Sequence, residues 1–73
     1  MNEKLEKEIL ASSLEVTQRN NHNNYAAKLS KPMTFDELIA LRSAIATHWL
    51  EHQLTKDQYD NLISMSKSVE LIP

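Results

Sequence analysis

The sequence predicts an all-α fold, a small three-helix protein built on a helical hairpin, with helices over about 3–19, 35–52 and 56–69. Three observations carry this. A helix start is written twice, as M-T-F-D-E-L from Met33 to Leu38 and as L-T-K-D-Q-Y from Leu54 to Tyr59. In each, a threonine can act as N-cap and an acid or amide three residues on can reach back to it, the capping-box arrangement. The residue before each threonine and the one four after it are apolar, so Met33 can staple to Leu38 and Leu54 to Tyr59. Behind both starts, apolar residues recur at the helical period. Only Gln53 and Leu54 remain for the turn, which makes the two helices neighbours, antiparallel or steeply crossed.

The first helix has Asn2 as its expected N-cap, with Glu3 and Glu6 at the favoured positive end of the dipole. Leu5, Ile9 and Val16 form a stripe flanked by Leu10 and Leu14. Ser12 and Ser13 interrupt it, so the apolar face is narrow. Glu3–Lys7 and Lys4–Glu8 can pair across a solvated side. The run N-N-H-N-N from Asn20 to Asn24 concentrates side chains that compete with helix hydrogen bonds, and Lys31 precedes a proline. Residues 20–33 are therefore expected to be a mobile, Asn-rich, basic connection. Between Glu15 and Asp36 there is no acid, while Arg19, Lys28 and Lys31 are positive.

In the second helix Leu41, Ile45, Leu38, Trp49, Phe35, Ile39 and Leu50 cover about half the circumference, more than one partner helix needs. Arg42 falls inside that arc, and Asp36, Glu37, Ala40, Ser43, Thr47 and Glu51 make the opposite side. This helix is expected to be the central element. The third carries Tyr59, Leu62, Ile63 and Val69 as its stripe with Met65 flanking, and Leu71 and Ile72 can add apolar cover.

A chain of 73 residues makes one domain, residues 1–73, near the size where a single core is barely sufficient. Self-association or docking on another protein relieves that shortage, because either buries apolar surface without ordering much more chain. There is no cysteine, hence no disulfide framework and no thiolate metal site, which fits a reducing compartment and makes the cytoplasm the expected location. The start M-N-E-K-L-E-K-E-I-L lacks a long apolar core, so neither export nor membrane insertion is expected. A net charge of −2 gives no general attraction to phosphate backbones. The complete absence of glycine, against a usual share of about 7%, removes glycine-rich phosphate-cradling loops. No cofactor is expected.

One string has a catalytic outline. His48-Trp49-Leu50-Glu51-His52 matches H-x-x-E-H, and two histidines four apart on a helix can share a zinc ion. A catalytic site also needs a third protein ligand, an open position and a walled cleft. Histidines in a last helical turn are favoured by the dipole without any metal, and that is the favoured reading of His48 and His52. No serine has a glycine-flanked elbow or a nearby histidine–carboxylate pair, so an enzyme is not expected.

Arg42 can lay its stem over core residues, or can sit with Trp49 in an exposed hot spot, since Trp and Arg are enriched where binding energy concentrates. Trp49 reads as core more readily than as contact. Two helices and a short turn are also the outline of a helix-turn-helix reader, with Lys56, Gln58, Asn61 and Lys67 in the groove, although Asp57 and Asp60 would oppose phosphates. The segment L-E-H-Q-L-T-K-D-Q-Y-D-N-L, Leu50 to Leu62, resembles the short helical-hairpin modules of many small bacterial and phage proteins. That resemblance covers thirteen residues and implies only a hairpin used for association.

The expected function is that of a small non-enzymatic regulatory, adaptor or inhibitor protein, a bacterial or phage accessory factor. It would bind through its helices as a homodimer and to another protein, using Leu38, Arg42, Ile45, Trp49 and Tyr59. The alternative is a nucleic-acid-binding regulator using helix 56–69 or the 19–31 segment, with Arg19, Tyr25, Lys28 and Lys31 as contacts and Tyr25 stacking on bases.

Overall fold

A computed structural model of the chain describes the backbone of residues 3–73 and the side chains from residue 12 onward. It holds three helices, α1 (Glu3–Leu29), α2 (Phe35–Leu50) and α3 (Lys56–Ser66), and the fold is all-α as the sequence predicts. The expectations for Asn2 as a cap, for the side chains of Leu5, Ile9 and Leu10, and for the Glu3–Lys7 and Lys4–Glu8 pairs lie outside the described residues.

Both helix starts form where the repeated signal places them. Thr55 has extended backbone angles, its Oγ1 accepts from the Gln58 amide at 3.1 Å, and its own amide donates to Gln58 Oε1 at 3.0 Å, a complete capping box. Thr34 Oγ1 likewise accepts from the Glu37 amide at 3.2 Å, but here the hydroxyl itself donates to Glu37 Oε1 at 3.0 Å. At Thr34 the capping box is therefore incomplete, because Glu37 bonds the threonine hydroxyl and not its backbone amide. Met33, Leu38 and Leu54 are buried and Tyr59 packs against the same cluster, in keeping with a staple at each start.

The end of α2 is a Schellman motif built without glycine. The His52 amide donates to the Trp49 carbonyl at 3.0 Å and the Gln53 amide to the His48 carbonyl at 2.7 Å, with His52 in the left-handed region at φ 61°. This stops α2 at Leu50, two residues short of the expected 52. His52 carries the backbone cost that glycine ordinarily avoids at this position.

The largest correction concerns α1. Residues 20–29 continue the helix, so the expected connection over 20–33 shrinks to Ser30–Thr34. Asparagine disfavours a helix when its amide has nothing better to bond than nearby backbone. Here Gln18, Asn21 and His22 lie on the stripe that also carries Tyr25 and Leu29, and they find partners on the α2–α3 turn and on α3. Helix α1 ends instead at Leu29, three residues before Pro32, with Ser30 and Lys31 folding back through 3.3 Å bonds to Ala27 and Lys28.

α3, not α2, is central. It packs on both other helices, whereas α1 and α2 touch each other little. The core gathers Tyr25 and Leu29 from α1, Met33 before α2, Leu38 and Ile45 from α2, Leu54 from the turn and Leu62 from α3, with Ile45 and Leu62 wholly enclosed. α3 closes at Ser66 rather than near 69. The Ser66 hydroxyl turns back onto the Ile63 carbonyl at 2.6 Å and accepts from Arg42 Nε at 3.0 Å. The tail then runs beside Met33, whose amide donates to the Glu70 carbonyl and whose carbonyl accepts from the Ile72 amide, a single parallel bridge. Leu71 and Ile72 stay about half exposed and cover little.

Two outcomes follow for stability in denaturant. Leu62→Ala lowers the unfolding free energy by about 2–5 kcal/mol while Ser64→Ala, at an exposed position of α3, changes it by less than about 0.5 kcal/mol. His52→Gly raises it by about 1 kcal/mol by relieving the left-handed residue, and His52→Val lowers it.

Candidate functional site

Polar side chains at the surface and at the edge of the core hold α1 on the hairpin. Gln18 Nε2 donates to the His52 carbonyl at 3.0 Å, and Asn21 Nδ2 donates to the Gln53 carbonyl at 2.8 Å. Those carbonyls follow the end of α2 and take up none of its internal bonds, so the amides of α1 satisfy groups the turn would otherwise leave to water. One turn further on, Asn61 Nδ2 donates to His22 Nε2 at 2.8 Å, tying α1 to α3. Tyr25 reaches His48 Nδ1 at 2.7 Å with its hydroxyl while the two rings meet edge to face at 5.3 Å. His48 Nδ1 also lies 2.9 Å from the Ala44 carbonyl, so one nitrogen serves either the tyrosine as acceptor or the carbonyl as donor, according to tautomer.

These contacts redistribute the residues expected to form sites. His48 is half-buried in the last turn of α2, whereas His52 lies beyond the helix on an exposed left-handed residue. The shared helix face that the H-x-x-E-H reading requires is therefore absent. Among the described residues no group of three or more His, Cys, Asp or Glu side chains converges as a metal site would need.

Of the expected partner contacts, Leu38 and Ile45 are buried in the core and present no surface. Arg42 is half-buried and bonded to Ser66, with no carboxylate in the pairing. Trp49 and Tyr59 stack on each other, centroids 4.5 Å apart and planes 20° from parallel, at the edge of the core. The exposed apolar residues of α2 are instead Phe35, Ile39 and Leu50, which are 59, 43 and 70% accessible. They lie about 60–140° around the helix from Leu38 and Ile45, on a stripe that includes Ala46 and passes Arg42. The signal for them was present in the width of the arc. The chain's own helices cover one side of the arc, at Leu41, Ile45 and Leu38, and leave the other side, at Phe35, Ile39 and Leu50.

Of the nucleic-acid candidates, Tyr25, Lys28 and Lys31 line one groove and Arg19 lies apart from them. Tyr25 is 8% accessible with its hydroxyl engaged, and it cannot stack on a base. Arg19 and Lys28, nine residues apart on one helix, point to opposite sides of it. On α3, Lys56 is held by Asp60 at 2.9 Å, Gln58 is occupied in the cap, and Asn61 bonds His22.

The groove that Lys28 and Lys31 border is open, about 520 Å³ in volume, and lies between α1 and α2. Its floor is Tyr25, Met33, Leu41, Ala40 and Ala44, and Glu37 stands on its other lip. The groove exists because both helices lean on α3 and diverge from each other.

No family model, characterised protein or solved structure matches this chain. Among the described residues no helix is long and apolar enough to cross a membrane.

The Tyr25 contact has a testable pH signature. Burial raises the Tyr25 pKa above its ordinary value of 10.0, so the unfolded chain releases this proton first. Its contribution is therefore complete below about pH 10 and is lost as pH rises from there through the folded-state value. The Lys56 pKa is raised from 10.5 by its hydrogen bond to Asp60, and that pair also weakens in alkali, so the tyrosine's share is read as a difference. Tyr25→Phe costs about 0.5–1.5 kcal/mol at neutral pH, and denaturation curves for the two proteins converge as pH rises above about 10. A parallel measurement on Gln18→Ala and Asn21→Ala returns losses of about 0.5–1.5 kcal/mol each.

Proposed function

We propose that this chain is a small non-enzymatic binding protein of the cytoplasm, a regulator, adaptor or inhibitor, which pairs with a second copy through the outer face of α2 and acts by docking on another protein. The observation that carries the pairing is the exposed stripe Phe35, Ile39 and Leu50, with the half-buried Ala46 between them, on a helix whose other side is already committed to the core. The spacing from Phe35 through Ile39 and Arg42 to Ala46 is four, three, four, the pattern of a coiled-coil seam. Laid antiparallel on its own copy about a point between Arg42 and Ser43, the stripe sets Phe35 opposite Leu50 and Ile39 opposite the small Ala46. Large residues then meet small or flexible ones, as seam packing requires. Arg42, near the centre, is drawn aside by its bond to Ser66, which lessens the like-charge approach of two guanidinium groups.

What supports a non-enzymatic reading is the use made of the interior polar groups. Tyr25, His48, Asn21, Arg42 and Ser66 are bonded to one another or to backbone in ways that position helices, and no buried side-chain nitrogen or oxygen among the described residues lacks a partner.

Size-exclusion chromatography with light scattering at micromolar concentration tests the pairing. The expected mass is twice the 8.4 kDa of one chain, falling to a single chain in Ile39→Glu/Leu50→Glu with its helix content intact. A wild-type protein that elutes as a monomer at every concentration up to the millimolar range contradicts it.

A further inference from the structure

We propose that the groove between α1 and α2 is the docking site for an amphipathic helix of another protein, one that brings apolar side chains to the floor and acidic side chains to the flank lying over α1. This rests on the partner-binding reading above and is independent of the pairing through the outer face of α2.

Shape comes first. α1 and α2 both rest on α3, and the side away from α3 is left as an open trough of about 520 Å³. Its floor is apolar where Tyr25, Met33 and Leu41 meet. Along α2 it is shallow-walled, because Ala40 and Ala44 are one helical turn apart and carry only methyl groups. Such a surface lets the ridge of a further helix settle between the two existing ones, as helices pack ridge into groove, and would make the α3-centred trio a four-helix bundle. Being open along its length, the trough does not enclose a small molecule as a ligand pocket does.

Charge then selects the occupant. Lys28 and Lys31 stand one turn apart on the α1 lip, and the facing lip offers one carboxylate, Glu37. Among the described residues the only ion pair is Lys56–Asp60, so neither lysine has a carboxylate of its own. Lys28 lies over the Tyr25 ring, its Nζ 5.7 Å from the centroid, which holds the cation at the edge of the apolar floor. A helix seated here therefore meets two cations on one flank and one anion on the other. Acidic residues three or four apart on the first flank pair with both lysines, and a basic residue on the second faces Glu37. The chain as a whole carries a charge of −2, so the attraction for an acidic flank is local to this lip and specifies orientation.

A displayed library of amphipathic helices, randomised at flank positions and selected against the full-length Ile39→Glu/Leu50→Glu protein, tests this without involving the outer face of α2. The enriched helices are expected to carry Glu or Asp on one flank at helical spacing. Synthesised as free peptides, they are expected to bind Lys28→Glu/Lys31→Glu about tenfold more weakly, to lose binding to Ala40→Arg, and to regain affinity for the charge-reversed protein when their own acidic flank is changed to lysine. All three substitutions are at exposed positions, and unchanged melting curves show that the fold is retained. Binders indifferent to Ala40→Arg and to the charge reversal overturn the groove as the site and leave partner binding standing. A selection that returns no binder at all overturns both. Loss of self-association in Ala40→Arg would place a second copy in the groove and overturn the choice of occupant.

Discussion

The hydrogen bonds from Gln18 and Asn21 to the carbonyls of His52 and Gln53 hold this molecule's arrangement together. A sequence without glycine has no easy residue for the left-handed step that ends α2, and His52 takes it. The turn so formed presents two carbonyls outward, and the amide side chains of α1 meet them. That contact settles three things at once. It goes with a helix through an asparagine-rich segment, it fixes α1 across the end of the hairpin, and it leaves α3 as the helix on which α1 and α2 both pack.

From the packing of α1 and α2 on α3 comes the distribution of surface. With α1 and α2 each packed on α3 and hardly on each other, α2 has a core side, an outer side and a side that borders the trough. The core side holds Leu38 and Ile45, the outer side Phe35, Ile39 and Leu50, and the trough side Ala40 and Ala44. A domain this small has little core to spare, and exposed apolar surface of this kind is what marks interaction sites on soluble proteins. The two surfaces differ in character. The outer face is bulky and nearly uncharged except for Arg42, which suits a copy of itself, whereas the trough has short side chains and lips of opposite sign, which suits a helix with ordered flanks.

Much of the fold was legible in the sequence, and the reasons are local. Thr34 and Thr55 act within four residues of themselves, so their caps could be read from spacing alone, and both helix starts lie where they were expected. What could not be read is what depends on residues far apart. The amides of Asn20–Asn24 argue against a helix as long as only neighbouring backbone is considered, and the bond from Asn21 to a carbonyl 32 residues away reverses that argument. Among candidate site residues, Leu38 and Ile45 of the wide arc on α2 belong to the core, while Phe35, Ile39 and Leu50 on one side of that arc stay exposed. Which part of a wide arc stays exposed depends on where the neighbouring helix crosses, and a single sequence carries no direct sign of that.

Backbone chemical shifts and amide exchange at Asn20–Asn24, recorded by NMR on the intact chain, test the central claim most directly. Helical carbon shifts through all five residues, with exchange slowed to the level of the neighbouring Tyr25–Leu29 amides, are the predicted result. Random-coil shifts and unprotected amides over the same five residues would contradict it, because α1 would then end before the side chains that fasten it to the turn.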